Sequence, residues 1–129
     1  MLPLCKSEGI GVIPWSPLAR GRLTRDWNEQ SERSRTDLFA KGLYTQSTED
    51  ADRRVVEAVA NIAQERQVPR AQIALAWVLS KSEISAPIIG ATKLHHLDDA
   101  VAALSVGVTA AEIQALEINY IPHSVVGFS

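Results

Sequence analysis

Two turns marked by glycine each follow a short apolar segment, and this pair most constrains how the chain can fold. The first segment covers residues 9–14 and leads into a turn over residues 15–21. The second covers residues 86–89 and leads into a turn over residues 90–93. Short apolar runs that are rich in β-branched residues and bounded by Gly or Pro are typical of strands buried on both faces of a parallel sheet. The sequence therefore predicts two such strands, each followed by a loop at its carboxyl end.

Three stretches of helical character lie beside and between these strands. Residues 1–8 are predicted to end a helix, because Gly9 supplies the left-handed residue that commonly follows a helix. Ser47 is the predicted N-cap of a helix over residues 48–67, since acidic residues follow it and apolar residues then recur at helical spacing. Pro69 fits the first position of a third helix, which is apolar nearly all round and is therefore expected to be well buried.

Two further helices are predicted after the second strand. Leu97, Val101 and Leu104 stand at i, i+4 and i+7 within residues 94–104, a spacing typical of an amphipathic helix. Thr109 and Glu112 have the spacing of a capping box, which predicts a last helix to about residue 119. Strands that alternate with helices in this way indicate an α/β fold.

Length and composition bound the kind of protein. The 129 residues suffice for one domain but make up only half of a typical (β/α)8 barrel of about 250 residues. A hydrophobic content of 46%, a charged content of 22% and a net charge of −2 describe an ordinary globular protein and do not favour a nucleic-acid partner. The chain is therefore either a small fold of another kind or a piece of a barrel, in which case residues 1–129 form a single, partial domain.

The lone Cys5 cannot form an internal disulfide and lacks the spaced companions of a zinc site. A reducing compartment, by default the cytoplasm, is expected on that basis. Charged and polar residues at positions 6–8 interrupt the apolar opening, so we expect neither an export signal nor a membrane anchor.

The first turn offers the groups that bind a phosphate. Ser16 to Gly21 can present backbone N–H groups and a hydroxyl, Gly21 permits close approach, and Arg20 and Arg22 supply charge. The alternative is a proline-containing turn that only joins the strand to the next segment. The second turn favours phosphate binding, because phosphates are commonly held at the last two strand ends of a (β/α)8 barrel.

The second turn, at Gly90, Ala91 and Thr92, precedes a helix whose free N–H groups and positive dipole end suit an anion. Lys93 and His96 can add cationic donors. Between the two turns, residues 21–46 show no clear periodicity, and connections of that length are usually lids, binding loops or disordered segments.

Four motifs carry a family resemblance that extends over essentially all 129 residues. They are residues 13–23 (IPWSPLARGRL), 72–79 (QIALAWVL), 87–93 (PIIGATK) and 96–101 (HLDDAV). With them, the chain resembles the C-terminal part of an aldo-keto reductase. The tail over residues 122–128 (PHSVVGF) is similar to that of bacterial members related to the potassium-channel β subunits.

This resemblance implies the C-terminal part of a (β/α)8 TIM barrel, namely the last two strands with their helices, in a chain that is mostly helical by itself. It also implies binding of NADP(H) at the carboxyl-terminal rim and hydride transfer to an aldehyde or ketone. The family's catalytic Asp, Tyr, Lys and His lie in its first half, and no segment here matches those motifs. The expected function is therefore that of the cofactor-binding portion of an NADPH-dependent oxidoreductase.

The resemblance also implies a set of cofactor-binding residues. The first turn is expected to contact the pyrophosphate, and the second turn is expected to contact the adenosine 2′-phosphate. Asp99 is expected to face the adenine amine or the ribose. Arg35 is expected to close over the cofactor, and the competing interpretation is that Arg35 is a solvated charge. The full set is Trp15, Ser16, Pro17, Leu18, Ala19, Arg20, Gly21, Arg22, Arg35, Gly90, Ala91, Thr92, Lys93, His96 and Asp99.

Other interpretations stay open at this point. His95 and His96 are a poor metal pair, because consecutive helical residues diverge and no further ligand stands at the right spacing. Tyr44, Tyr120, Lys41 and His123 are of the residue types that transfer protons, but none lies in a motif that would pair them. In the tail, Tyr120 and Phe128 are candidate contacts for a substrate. The chain could instead be a non-catalytic nucleotide-binding or interaction module, or an inert fragment whose exposed barrel edges favour self-association.

Overall fold

The structure, a computed structural model, describes residues 1–29 and 48–123. Helices dominate these two ranges, and none of those helices is both long and apolar enough to cross a bilayer. The helices are α1 (Leu2–Ser7), α2 (Glu49–Arg66), α3 (Arg70–Leu79), α4 (Leu94–Ala102) and α5 (Ala110–Glu117), with 3₁₀ segments at Ala19–Thr24 and Ala103–Ser105.

The two predicted strands pair in parallel, but only through isolated bridges. Val12 pairs with Ile84 and Trp15 with Ile88. The N–H of Ser85 donates to the carbonyl of Val12 and that of Ile88 to the carbonyl of Pro14, both at 2.8 Å. The direction of pairing agrees with the prediction, whereas continuous strands do not form in the described ranges. Proline has no N–H to donate, so Pro14 and Pro87 each remove a ladder bond.

The end of α1 follows the sequence prediction closely. Gly9 has φ +64°, and the N–H of Ile10 donates to the carbonyl of Cys5 at 2.8 Å, which is a Schellman arrangement. The Lys6 ammonium lies 3.3 Å from the carboxylate of Glu83, just before the second strand. The helix stop precedes the first strand, and the partly exposed ion pair links it to the segment that enters the second.

The hydrophobic core lies between α2, α3 and α5. Ile73 of α3 is completely buried, with Val59 and Ile62 of α2 and Leu116 of α5 around it. Because helical neighbours on one face are three or four residues apart, Val59 and Ile62 share the inner face of α2. Leu23, which follows the first turn, packs against this cluster. The core therefore holds the first turn in place.

The α3 helix is as deeply buried as its composition predicts. Five of its ten residues, Ile73, Ala74, Leu75, Ala76 and Val78, are buried. Pro69 is the N-cap and the helix begins one residue later, at Arg70, so the expected first position was off by one. Trp77 lies at the edge of the core, where its indole N–H donates to Glu117 of α5 at 2.8 Å.

The start of α2 differs from the prediction. Ser47, the expected N-cap, lies outside the described residues, and Thr48 occupies the N-cap position. The buried Thr48 hydroxyl donates to the carboxylate of Asp52 at 3.1 Å rather than capping the backbone. His123 Nε2 lies 2.9 Å from the other carboxylate oxygen of Asp52, so the end of the described chain is tied to the start of α2.

The α4 helix presents its apolar stripe to the outside. Leu97, Val101 and Leu104 are 48%, 59% and 72% exposed, whereas Ala103 is buried. The regular α-helix ends at Ala102 and the predicted remainder to Leu104 continues as a 3₁₀ segment. The amphipathic pattern is thus real, but in residues 1–29 and 48–123 no partner buries it.

The last helix begins with the predicted capping box. The N–H of Glu112 donates to the Thr109 hydroxyl at 3.2 Å, and the N–H of Thr109 donates to the Glu112 carboxylate at 2.6 Å. That backbone bond, aided by the Arg66 guanidinium, holds the pKa of Glu112 below its ordinary value. Hydrogen bonds from Lys81 and Trp77 likewise lower the pKa of Glu117.

These two carboxylates should make the chain sensitive to acid. Because their folded pKa values are lowered, their stabilisation is fully present above the unfolded value of about 4.3 and is lost as pH falls through the folded values. Thermal unfolding followed by circular dichroism between pH 3 and 7 should show this loss, and Glu112→Gln with Glu117→Gln should flatten it. The exposed Glu65→Gln in α2 is the matched control, and an unchanged acid limb in the double variant would contradict this account.

Candidate functional site

The parallel pairing brings the two glycine turns to the same edge of the structure. Trp15 and Ile88 are bridge partners, and the N–H of Ile88 donates to the carbonyl of Pro14 at 2.8 Å. Since the paired strands run in the same direction, the turns over residues 16–21 and 90–93 leave from neighbouring carboxyl ends. The two groups of residues expected to bind phosphates therefore lie next to each other.

The first turn has an unusual backbone. Ser16, Ala19 and Arg20 have φ angles of +56°, +48° and +57°, and Gly21 has +87°. The N–H of Ala19 donates to Ser16 and that of Gly21 to Leu18, both at 2.9 Å, so the chain is tightly curled. Left-handed conformations of non-glycine residues cost energy and cluster at functional sites. This geometry favours a binding turn over a simple connection.

The same turn has the backbone pattern that binds anions. Leu18, with φ −96° and ψ +16°, is followed by the left-handed Ala19. A right-handed residue followed by a left-handed one points successive N–H groups into a concavity, known as a nest, that suits an anion. Pro17 precedes this pair and is partly buried. The turn therefore has the curvature of a nest, although the N–H of Ala19 already donates to the carbonyl of Ser16.

Two arginines of the turn lie over tryptophan rings. The Arg20 guanidinium is 5.8 Å from the centroid of Trp15, and that of Arg22 is 5.1 Å from Trp27. Both distances are within the range of cation–π attraction. Trp15 is 59% exposed, so it is not a core residue at the strand end. An aromatic surface and two positive charges thus flank the first turn.

Gly21 is the position in this turn where a side chain fits least. Its φ of +87° is one that L-residues rarely adopt, and a Cβ would stand 2.9 Å from the Arg25 guanidinium. The Thr24 hydroxyl donates to the Gly21 carbonyl at 2.9 Å. Asp26, a little further on, pairs with Arg70 of α3 at 2.5 Å. The far side of the turn is thereby anchored to the helical core.

The second turn leads directly into α4. Lys93 is the N-cap in an extended conformation, and its side chain makes no capping bond. The N–H of His96 donates to the Lys93 carbonyl at 3.1 Å, and the N–H groups of Leu94 and His95, at the positive end of the helix dipole, have no side-chain cap. The N–H of Thr92 lies 3.4 Å from His96 Nδ1, so that nitrogen accepts and the proton is assigned to Nε2. Gly90, Ala91, Thr92 and Lys93 are all exposed.

The adjacent histidines pack against each other rather than around a metal site. The rings of His95 and His96 lie edge to face with centroids 4.4 Å apart. Across residues 1–29 and 48–123, His, Cys, Asp and Glu side chains do not gather in groups of three or more that could hold a metal ion.

Asp99 is joined to a residue that the sequence did not single out as part of a site. The Gln72 side-chain amide of α3 donates to Asp99 Oδ1 at 2.9 Å in a half-buried position. The signal in the sequence was a polar residue near the start of a strongly apolar helix. Gln72 and Asp99 are 27 positions apart, and nothing in the sequence indicated that they would meet.

Several residues that the sequence suggested for cofactor binding, proton transfer or substrate contact do not lie at the two turns. Arg35, Lys41, Tyr44 and Phe128 lie outside the described residues. Tyr120 is exposed on the surface, and His123 pairs with Asp52 at the start of α2.

The chain belongs to the aldo/keto reductase family, because the model described as "Aldo/keto reductase family" matches residues 1–121. A Schizosaccharomyces pombe protein with the provisional name aryl-alcohol dehydrogenase is 40% identical over 129 residues, which cover 98% of this chain and 35% of that protein. The versiconal hemiacetal acetate reductase of Aspergillus parasiticus is 36% identical over 126 residues, covering 97% of this chain and 36% of that protein.

A solved structure agrees on the fold. A thermostable aldo-keto reductase, crystallised with the inhibitor epalrestat, matches with a TM-score of 0.61 at 22% identity, over 92% of this chain and 33% of that chain. This likeness supports the TIM-barrel fold of the family. The chain spans about a third of the length of the curated relatives it matches.

Replacement of Gly21 by alanine should disturb the first turn. The left-handed φ disfavours an L-residue by about 1–2 kcal/mol, and the Cβ would also crowd the Arg25 guanidinium. We expect a comparable loss in the free energy of unfolding, measured by urea denaturation. Gly107→Ala is the matched control, because nothing lies within 4 Å of its Cβ position. Equal effects of both changes would contradict the strained geometry.

Proposed function

We propose that this chain is the C-terminal, cofactor-binding portion of an NADPH-dependent aldo-keto reductase. The single observation that carries the proposal is the parallel bridge between Trp15 and Ile88, which sets the two glycine turns side by side. In this proposal the paired segments are the last two strands of the barrel. The first turn then binds the diphosphate of NADPH and the second its adenosine 2′-phosphate.

The residues of the first turn suit a diphosphate. Leu18 and Ala19 give the turn a concave backbone, and Arg20 and Arg22 bring two positive charges to it. Charge-assisted hydrogen bonds to phosphate are about twice as strong as neutral ones. Trp15, exposed at the strand end, offers a flat surface on which a nicotinamide or ribose can lie. Arg35 would act in addition, by closing over the bound cofactor.

The residues of the second turn suit a phosphate monoester. The uncapped start of α4, the Lys93 ammonium and the Nε2–H of His96 all belong to the segment that follows the second strand, and each can bind a phosphate. NAD lacks the 2′-phosphate, so these groups favour NADP(H). Asp99 is assigned to the adenosine half of the cofactor, where its carboxylate can accept a hydrogen bond from the base or the ribose.

The chemistry follows from the class of cofactor. NADPH supplies a hydride for reduction of an aldehyde or ketone to an alcohol. The part of this chain that the structure describes binds and orients the cofactor, and a tyrosine proton donor with its Asp, Lys and His partners would come from the other part of a barrel. The relatives named as a dehydrogenase and a reductase are compatible with such a reaction.

Several large apolar side chains of this chain are exposed, as expected if they pack against the other part of a barrel. Ile13 and Ile88 at the strands, and Leu94 and Leu104 near the two ends of the α4 stripe, are more than half exposed. Such surfaces are covered in a closed barrel, and in the isolated chain they favour self-association.

Titration with NADPH, followed through tryptophan fluorescence, tests the proposal. We expect saturable quenching, weaker affinity for NADH, and a loss of about tenfold in affinity on Arg22→Ala or Lys93→Ala, the size expected when one hydrogen bond to a charged group is removed. The exposed Arg54→Ala in α2 removes the same charge away from the turns and should bind like the parent. An absence of saturable binding at millimolar NADPH would overturn cofactor binding by this chain.

A further inference from the structure

The hydrogen bond between Gln72 and Asp99 connects the buried α3 helix to the helix that begins at the second turn. Gln72 is the third residue of α3, and its amide lies 2.9 Å from Asp99 Oδ1. Ile73, the next residue, is completely buried in the core. The glutamine is therefore held by a rigid element, and it fixes one oxygen of a carboxylate on the neighbouring helix.

Asp99 stands in a row with the groups of the second turn. His96 and Asp99 are three residues apart on α4 and share a face, and His96 Nδ1 in turn accepts from the N–H of Thr92. At a rise of 1.5 Å per residue, Asp99 lies about 9 Å along the helix from Lys93. That separation is comparable to the reach from a sugar phosphate to the base of the same nucleotide.

The chemistry of the carboxylate limits what it can recognise. An ionised Asp accepts hydrogen bonds and donates none, and with Oδ1 bound to Gln72 the lone pairs of Oδ2 are directed by the same contact. Adenine carries an exocyclic amino group that donates. Hypoxanthine carries a carbonyl oxygen at the same place, which would face the carboxylate with no proton between two acceptors.

We propose that Gln72 is a positioning residue that orients Asp99 so that the chain distinguishes an adenine base from one with a carbonyl at that position. This inference rests on the proposed function. In this proposal Gln72 contacts Asp99 rather than the ligand, so its effect passes through the carboxylate. A role limited to joining α3 to α4 would change stability but not the choice between bases.

The test compares the affinities of NADPH and its hypoxanthine analogue, deamino-NADPH, in one fluorescence titration. The parent chain should prefer NADPH by about tenfold, as expected for one hydrogen bond to a charged group. Gln72→Leu should reduce this preference to about threefold or less, because Asp99 loses its fixed orientation. Gln64→Leu, an exposed glutamine of α2, is the matched control and should keep the full preference.

A double-mutant cycle shows whether Gln72 acts through Asp99. Asp99→Ala should abolish the preference, and Gln72→Leu in that background should change it no further. An unchanged preference in Gln72→Leu, or an equal loss with and without Asp99, overturns the positioning role while NADPH binding stands. Failure of the parent chain to bind either dinucleotide overturns the proposed function and this inference with it.

Discussion

The parallel contact between Pro14–Trp15 and Ile88 is the constraint on which the rest of the candidate site depends. Two backbone bonds of 2.8 Å, from Ser85 to Val12 and from Ile88 to Pro14, set the register of the two segments. Each turn by itself could be either a phosphate-binding loop or a simple connection between two elements. Paired in parallel, the two segments lead from neighbouring ends into a curled turn that carries two arginines and into the N-terminus of α4. A slip of one residue in this register would turn the following side chains to the opposite face.

The helical core maintains that register without taking part in the site. Leu23 packs on the cluster formed by α2, α3 and α5, and Asp26 pairs with Arg70 at the start of α3, so the first turn is held at its far end. Lys6 and Glu83 connect the segments that enter the two strands. The first turn is therefore supported by contacts with helices that lie far from it in the sequence.

Much of the fold could be predicted from local patterns, because helix stops, capping boxes and apolar periodicity depend on residues that are near in sequence. Gly9, the Thr109 capping box and the buried α3 helix were all predicted on those grounds. The left-handed Ser16, Ala19 and Arg20 could not be, since no residue preference marks them. The exposure of the α4 stripe and the meeting of Gln72 with Asp99 depend on which helix packs on which, and a single sequence does not encode that locally.

The curled backbone of the first turn has a consequence for how freely its sequence can vary. Three non-glycine residues hold conformations that glycine would adopt at no steric cost. Replacement of Ala19 by glycine would relieve that strain. It would also increase the number of conformations that the free turn samples, so the conformational entropy of ordering the turn would be lost when a ligand binds. Selection for a turn already in shape would retain alanine there, in spite of its less favourable backbone energy.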